Sequence, residues 1–304
     1  MSGGGPDVCV VGQIARDLVL VVGEVPGPGG SARVRRRREM LGGKGANQAV
    51  GLAQLGMRPA LAGVVGDDDA GRDALGQAVR DGIDVSAVVR REGARTGLIV
   101  DVVDGDGRWR YLEDLPPPVL LTEADVTAAG PLLRDAPWTA VQLQQPPEAV
   151  RAAVGLARGN RIVLDGAPSE DDRDELLAAA FAVRADAREA AMLAGAPVGS
   201  ADEAVRLGAD LVRRGPALVA LAVEDANVFV WEGGRAVVPL DETRVSDTTG
   251  AGDALTAALI AALARGEPPE RAARFSVAAA GATVGHPGGR PALSFEGVGA
   301  RAGL

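Results

Sequence analysis

The sequence predicts an α/β protein with a doubly wound, mainly parallel sheet and a smaller sheet attached to it. From about residue 140 onward, short apolar runs alternate with segments of helical periodicity, as in parallel sheets covered by helices. The hairpin-rich segments near residues 18–40 and 97–112 do not alternate with helices, and these predict the smaller sheet. No internal repeat or linker divides the 304 residues, so we expect a single domain over residues 1–304.

Periodicity and turn residues predict each element in order. Val8–Gly12 is an unbroken apolar run, typical of a buried strand, and the helical stripe from Ala46 to Ala53 ends at Gly56. The same patterns predict strands at Leu18–Val22, Val34–Met40, Leu61–Val65, Gly97–Val103, Arg108–Leu112, Ala140–Leu143, Ile162–Asp165 and Leu218–Val223, and a hairpin at Val228–Pro239. Further helices are predicted at Ala70–Arg80, Glu148–Ala157, Asp172–Ala180, Ala187–Ala194, Ala201–Arg213, Ala251–Ala264 and Pro269–Val284.

The composition excludes several classes of function. Lys and Arg number 32 against 41 Asp and Glu, and a net charge of −9 argues against nucleic-acid or anionic-membrane partners. The one histidine, His286, and the one cysteine, Cys9, are too few for a multi-histidine zinc site or an intrachain disulfide. No basic segment followed by a long apolar run is present, so we expect a cytoplasmic protein without a membrane span.

The strongest chemical motif spans residues 247–253, Asp-Thr-Thr-Gly-Ala-Gly-Asp, and opens the helix predicted at Ala251–Ala264. Small residues at 250–252 leave backbone N–H groups open at the helix start, where the helix dipole favours an anion. Asp253 adds a carboxylate in the same turn, which suits phosphoryl transfer to a hydroxyl. An ordinary glycine-containing helix start with an acidic first turn explains these residues equally well.

A second motif, Gly42-Gly43-Lys44-Gly45-Ala46-Asn47, also opens a helix. It is not a P-loop, because Lys44 is followed by glycine and the glycine spacing differs. Its glycines would let a ligand approach the backbone, and Asn47 could bind a hydroxyl. A tight strand-to-helix turn is the alternative interpretation.

Residues 42–50 and 247–253 together resemble the two signatures of the ribokinase-like (PfkB) carbohydrate kinases, in the same order along nearly the whole chain. The resemblance implies a Rossmann-like domain with a small β-sheet lid, here formed by about 16–40 and 96–115. It also implies dimerisation through that lid. The implied activity is transfer of the γ-phosphoryl group of ATP, with Mg²⁺, to a primary hydroxyl of a pentose or related furanose. Fructokinase and nucleoside kinase activities remain alternatives.

The resemblance also implies a role for individual residues. Asp253 would deprotonate the sugar hydroxyl, and the anion hole for the γ-phosphate would come from Gly250, Ala251 and Gly252. The sugar would be bound by Asp17, Gly42, Gly43, Lys44, Asn47 and Gln144. Gln144 stands where the family often has glutamate, which could alter sugar choice. A helix N-terminus is expected to hold Asp253 ionised with a low pKa.

The implied cofactor site departs from the family pattern at three places. The family's Asn-x-x-Glu motif near magnesium appears here with Asp186 in place of the asparagine and with Glu189 retained. Where the family usually has a glycine-containing nucleotide loop, this chain has Glu224, Asp225 and Asn227. Thr249 and Gly252 complete the predicted nucleotide contacts, and the predicted metal ligands are Glu189, Asp247 and Thr249. Ala292 lacks the hydroxyl expected at a potassium site, which argues against potassium activation.

The acidic loop at Glu224 and Asp225 would repel a triphosphate. It therefore keeps open a second hypothesis, a sugar-binding relative with weak or lost use of ATP. A dinucleotide-dependent oxidoreductase is disfavoured, because no G-x-G-x-x-G turn follows the first strand at Gly12.

Overall fold

The computed structural model describes residues 4–240, 250–284, 286 and 290–304, which form two sheets covered by helices. The strands are β1 Val8–Val11, β2 Ala15–Val22, β3 Val34–Gly42, β4 Pro59–Gly66, β5 Asp84–Arg91, β6 Gly97–Val103, β7 Trp109–Asp114, β8 Trp138–Gln142, β9 Arg161–Asp165, β10 Ala182–Ala185, β11 Leu218–Ala222, β12 Ala226–Trp231 and β13 Gly234–Pro239. The helices are α1 Lys44–Gln54, α2 Asp69–Arg80, α3 Glu123–Ala128, α4 Gly130–Asp135, α5 Pro147–Leu156, α6 Arg173–Ala179, α7 Ala187–Ala194, α8 Ala201–Val212, α9 Ala251–Ala264, α10 Pro269–Val284 and α11 Phe295–Arg301.

The large sheet has nine strands in the order β13-β12-β11-β10-β9-β8-β1-β4-β5. The seven neighbouring strands β11, β10, β9, β8, β1, β4 and β5 are parallel to one another. Within the described part of this sheet, antiparallel pairing occurs only at one edge, where the β12–β13 hairpin pairs with β11. The predicted α/β fold class is therefore confirmed. The chain order reverses between β1 and β8, and ligands of such sheets bind outside the carboxyl ends of the strands at that point.

Helices cover both faces of the large sheet because its strands are apolar on both sides. In β1, Val8 and Val10 pack into a core with α1, α2, α9 and α10, whereas Cys9 and Val11 pack into the opposite core with α3 to α8. This division follows from the alternation of side chains along a strand. Helix α9 is buried along nearly its whole length and apolar on all sides, as expected of a helix enclosed by other elements.

The small sheet has the order β3-β2-β6-β7 and comes from the two segments predicted to form a lid. Strands β2 and β3 pair antiparallel, β2 and β6 pair parallel, and β6 and β7 form the predicted hairpin. The division of the chain into a main domain and a lid, and the closing of the lid over a substrate, stay predictions. No helix among the described residues is long and apolar enough to cross a membrane.

Two strands of the large sheet escape sequence-based prediction. Strand β5 lies at an edge and is only partly buried, so its apolar signal is weak. Strand β10 has four residues, Ala182–Ala185, and one of them is the buried Arg184. A four-residue run containing arginine carries no clear strand signature, although both strands complete the parallel order.

Candidate active site

Two parallel helices bring the two motifs together. Asn47 Nδ2 in the first turn of α1 donates a hydrogen bond to Asp253 Oδ2 in the first turn of α9, at 3.1 Å. One turn further along both helices, a methyl group on Gly51 would lie 2.9 Å from the Cβ atom of Ala257. The small residues at this contact let the helices run side by side in the same direction. Both N-termini, with their positive dipole ends, therefore open at one place.

The start of α1 is locked against the end of β1 by glycines. A Cβ atom on Gly45 would lie 2.7 Å from the carbonyl carbon of Gly12, and one on Gly12 would lie 2.9 Å from the Cα atom of Gly45. Gly43, the single residue between β3 and α1, has a φ angle of 87°, which favours glycine. These glycines hold the α1 terminus at the carboxyl end of β1, where the chain order of the sheet reverses.

The predicted acceptor residues lie on both sides of this junction. Asp17 is buried on β2, and its carboxyl group occupies the space that a side chain on Gly42 would fill. The guanidinium of Arg290 lies close enough for the Asp17 carboxylate to raise its pKa, although burial lowers that pKa overall. Asn47 and Gly250 line a small cavity together with Arg290. The structure thus places Asp17, Gly42, Gly43 and Asn47 near one another at the mouth of α1.

The acidity of Asp253 differs from the expectation for a helix N-terminus. Its pKa is raised from 3.8 to about 6 by burial and by the nearby Asp165 carboxylate, against the opposite effect of Lys44, Asn47 and Arg184. The expected low pKa is therefore wrong, because burial and the Asp165 carboxylate raise the pKa by more than Lys44, Asn47 and Arg184 lower it. A carboxylate with a pKa near neutrality is a better proton acceptor than one with a low pKa.

A network of buried polar groups surrounds Asp253. Asp165, at the end of β9, accepts hydrogen bonds from Gln48 Nε2 at 2.8 Å and from Arg184 Nη1 at 3.1 Å. Lys44 Nζ lies 3.8 Å from Glu189 Oε1. Burial would lower the pKa of Lys44, but the surrounding carboxylates raise it overall, so the lysine is held in its charged form. Lys44 therefore links the predicted acceptor motif to the predicted metal side.

An apolar cavity of about 230 Å³ adjoins the α9 terminus. It is lined mainly by aliphatic residues of α9 and α10, with Gly252, Arg184 and Asn227 among its polar or backbone contributors. Such a cavity suits a nucleotide base with its phosphates directed toward Gly252. Glu224, by contrast, is exposed in the short turn between β11 and β12 and does not line the cavity, and Asp225 is also exposed. The acids expected to repel a triphosphate thus do not line this cavity.

A separate open cavity of about 320 Å³ is lined by Asp186 and by Glu189, one of the three predicted metal ligands. Asp186 and Glu189 cap the start of α7 by exchanging hydrogen bonds between each carboxylate and the other's backbone N–H. Gln144, which is exposed, lines the same cavity. Two carboxylates that line an open cavity fit Mg²⁺, which usually retains water and shares its coordination with phosphates. The predicted metal ligands Asp247 and Thr249 lie outside the described residues.

Comparison with known proteins bears on this arrangement. The profile described as pfkB family carbohydrate kinase matches residues 6–295. The chain belongs to this family. It is a carbohydrate kinase, an enzyme that phosphorylates a sugar with ATP, so the resemblance seen in the two motifs is confirmed. The dinucleotide-dependent oxidoreductase is excluded by the same finding.

Individual relatives of the kinase cover almost its whole length. Ribokinase of Haemophilus influenzae is 27% identical over 296 residues, covering 93% of this chain and 94% of the relative. The ATP-dependent ribose-1-phosphate kinase of Halopiger xanaduensis is 32% identical over 304 residues, covering 96% and 97%. The structure of Arabidopsis thaliana ribokinase complexed with ribose and ATP superposes with a TM-score of 0.80 at 23% identity over 99% of both chains, which shows the shared fold.

Sequence reasoning missed the buried residues that connect the parts of the kinase's site. Asp165 closes an apolar strand, and Gln48 follows Asn47 in α1, so both could have been noticed as polar residues at the predicted ligand-binding edge. Arg184 carries no local signal, because its role depends on its contact with Asp165 from the neighbouring strand. Arg290 is likewise recognisable only from its approach to Asp17.

Proposed function

We propose that this kinase transfers the γ-phosphoryl group of ATP to a primary hydroxyl of a pentose or related furanose sugar. The hydrogen bond between Asn47 and Asp253 carries the proposal, because it joins a group able to hold a sugar hydroxyl to a group able to take its proton. Asp17, buried beside Gly42, adds an acceptor for further hydroxyls on the same sugar. The absence of large aromatic faces among these residues suits a small polyol.

Asp253 accepts the proton of the attacking hydroxyl in this proposal. The hydroxyl becomes acidic as its oxygen approaches phosphorus, so proton transfer late in the reaction suffices. Gly250, Ala251 and Gly252 offer backbone N–H groups at the start of α9, and the parallel α1 terminus adds a second positive dipole end. The two helix N-termini therefore stabilise negative charge in the same place. Lys44, held as a cation between carboxylates, keeps this region from becoming strongly negative.

The donor is assigned to the apolar cavity beside Gly252. Alkyl side chains would hold the base, and Asn227, which is buried, would supply a hydrogen-bonding group. Asp186 and Glu189 would hold Mg²⁺, directly or through water, and the ion would neutralise phosphate charge when bound. Thr249 remains a predicted nucleotide contact outside the described residues. A potassium requirement is not proposed, because Ala292 offers no side-chain oxygen.

A coupled assay with purified protein tests the proposal. It would measure ADP release with ATP, Mg²⁺ and a panel of ribose, fructose, ribose 1-phosphate and nucleosides. We expect the highest kcat/KM for a furanose pentose with a free primary hydroxyl. A folded protein that transfers phosphate to no member of the panel would contradict the proposal. If calorimetric titration of that protein shows binding of sugar but not of ATP, the result would support the sugar-binding alternative instead.

A sugar that already bears a phosphate is the second candidate acceptor. Arg290 Nε and Nη2 are buried without a hydrogen-bond partner among the described residues, and Nη1 lies 3.4 Å from Asp81 Oδ2. An arginine with unpaired donors near Asp17 is suited to bind a phosphate on the sugar. The name of the Halopiger relative points the same way. An Arg290→Met variant that loses ribose 1-phosphate turnover but retains ribose turnover would favour this class.

We also propose a homodimer formed through the small sheet. Its outer strands expose large apolar side chains, with Val34 at 42% and Leu112 at 65% exposure, and a row of arginines on β3. Light scattering after size exclusion would give the mass of the assembly, and a monomer at micromolar concentration would contradict this proposal. The cytoplasmic location stays a prediction.

A further inference from the structure

Arg184 brings a buried positive charge to the start of α9. It lies on β10 with only 11% of its side chain exposed, and it would overlap with any side chain placed on Gly252. Its guanidinium therefore rests directly against the backbone assigned to the anion hole. The same arginine lines the apolar cavity assigned to the base. A nucleotide whose base fills that cavity and whose last phosphate reaches Gly252 must pass the guanidinium.

The hydrogen bonds of Arg184 leave part of its guanidinium available. Nη1 donates to Asp165 Oδ1 at 3.1 Å and lies 4.0 Å from Glu189 Oε2. Nη2, the nitrogen next to Gly252, has no hydrogen-bond partner among the described residues. This nitrogen is not fully buried either, so it is accessible from the apolar cavity that Arg184 lines. One edge of the guanidinium is thus fixed by carboxylates while the other faces the phosphate path.

The charges around the site explain why a cation is needed next to the phosphate path. Asp165, Glu189 and Asp253 place three carboxylates near the predicted phosphate path, against the two cations Lys44 and Arg184. A triphosphate entering such a site would be repelled without a cation directed at it. Burying an arginine is costly unless its partners are well placed, so a merely structural ion pair could be replaced by apolar residues at little cost. An arginine whose unpaired edge lies beside an anion hole is placed to bind an anionic ligand.

We propose that Arg184 is a catalytic residue that binds the phosphate chain of the nucleotide, and that Asp165 positions it. This inference rests on the proposed function. During transfer, the bond between the γ-phosphorus and the bridging oxygen of ADP breaks, and a bond from that phosphorus to the sugar oxygen forms. The sugar proton passes to Asp253, and ADP leaves with the electron pair of the broken bond. Arg184 stabilises the negative charge that develops along this path, through Nη2.

Nucleotide titration of the wild type and an Arg184→Met variant tests the inference. Calorimetry with adenosine, ADP and ATP separates a phosphate contact from a general change in the cavity. We expect adenosine affinity to change less than about 3-fold, ATP affinity to fall about 10–100-fold, and kcat to fall about 10²–10⁴-fold, near the range for arginines at phosphoryl-transfer sites. Arg184→Lys, which keeps the charge without the fork, should lie between the two.

Arg265→Met is the matched control. Arg265 lies at an exposed position just beyond the other end of α9 and donates a partly buried hydrogen bond to the Leu55 carbonyl at 2.8 Å, so its loss also removes an arginine contact at the end of the same helix. It should leave the ratio of ATP to adenosine affinity unchanged. Equal losses for ATP and adenosine in Arg184→Met, or a kcat like that of the control, would overturn the inference.

Loss of Arg184 alone leaves Asp165 as an unpaired buried carboxylate, which could unfold the chain. The double variant Asp165→Asn with Arg184→Met removes both charges and keeps the test available, with the same expected loss for ATP. The titration needs no sugar, so the two proposals fail separately. A wild type that binds ATP through Arg184 but phosphorylates no sugar contradicts only the acceptor assignment. An active wild type with an unaffected Arg184→Met variant contradicts only the role of Arg184.

Discussion

Replacing Asp253 with asparagine should stabilise the protein at pH 8 while it removes catalysis. Burial raises the pKa of Asp253 from 3.8 to about 6. Each pKa unit corresponds to about 1.4 kcal/mol, so keeping this carboxylate ionised costs the native state about 3 kcal/mol at pH 8. Asparagine removes the charge and still offers an oxygen to Asn47. Part of the gain is offset by weaker hydrogen bonding, so we expect the free energy of unfolding to rise by about 1–3 kcal/mol.

The pH dependence of this gain is the sharper measurement. Because the folded pKa is raised, native Asp253 binds a proton more tightly than the unfolded chain does, and its penalty disappears as the pH falls from 6 toward 4. The stability difference between Asp253→Asn and wild type should therefore shrink by about 2 kcal/mol between pH 8 and pH 4.5. Urea unfolding at the two pH values measures it. Asp202→Asn, at an exposed position of α8, should change stability by less than about 0.5 kcal/mol.

Turnover provides the second readout of the same variant. Loss of the proton acceptor should lower kcat by about 10²–10⁴-fold with little change in sugar affinity. A variant that is no more stable than wild type at pH 8, with a difference independent of pH, would refute the reasoning about the buried carboxylate. Near-normal turnover would instead remove Asp253 from its assigned role.

Three further measurements probe the same site. The acid limb of the kcat/KM profile should have an apparent pKa near 6, set by Asp253, and a limb near 4 would contradict the effect of burial. Gly252→Ala should lower kcat at least about 100-fold, because the new methyl group collides with Arg184 and narrows the anion hole. Gly155→Ala, where nothing lies within 4 Å, should leave kcat unchanged. Gly42→Ala should raise the KM for sugar about 10-fold or more by displacing the acceptor-site aspartate, whereas the KM for ATP should stay constant.

The sequence predicted most of the fold because its helices and buried strands are strongly periodic. The predicted bounds of α9 and α10 agree with the structure, and both helices carry long apolar stretches. The edge strand β5 and the four-residue β10 were missed because their signals depend on neighbours in the sheet. A strand of that length is recognised from its pairing partners, which the sequence does not display.

The residues of the candidate site also fall into two groups, those that local sequence predicts and those that only strand pairing brings together. Asp253 and Asn47 belong to contiguous motifs and could be found from local spacing. Asp165 and Arg184 lie on adjacent strands, and their significance arises only where those strands pair. The pKa of Asp253 could not be predicted from its helix position either. It is set by burial and by the Asp165 carboxylate, both of which are properties of the folded protein.

The direct passage from the small sheet into α1 has a mechanical consequence. Only Gly43 separates the last residue of β3 from the helix that carries Lys44 and Asn47. The chain has no spare residue at this connection, which is one of several between the two sheets, so a tilt of the small sheet acts directly on the start of α1. Any such tilt is transmitted at once to the amino end of α1, and through the Asn47 contact to the carboxylate beyond it. Movement of the small sheet is thereby coupled through Gly43 to the alignment of Asn47 with Asp253.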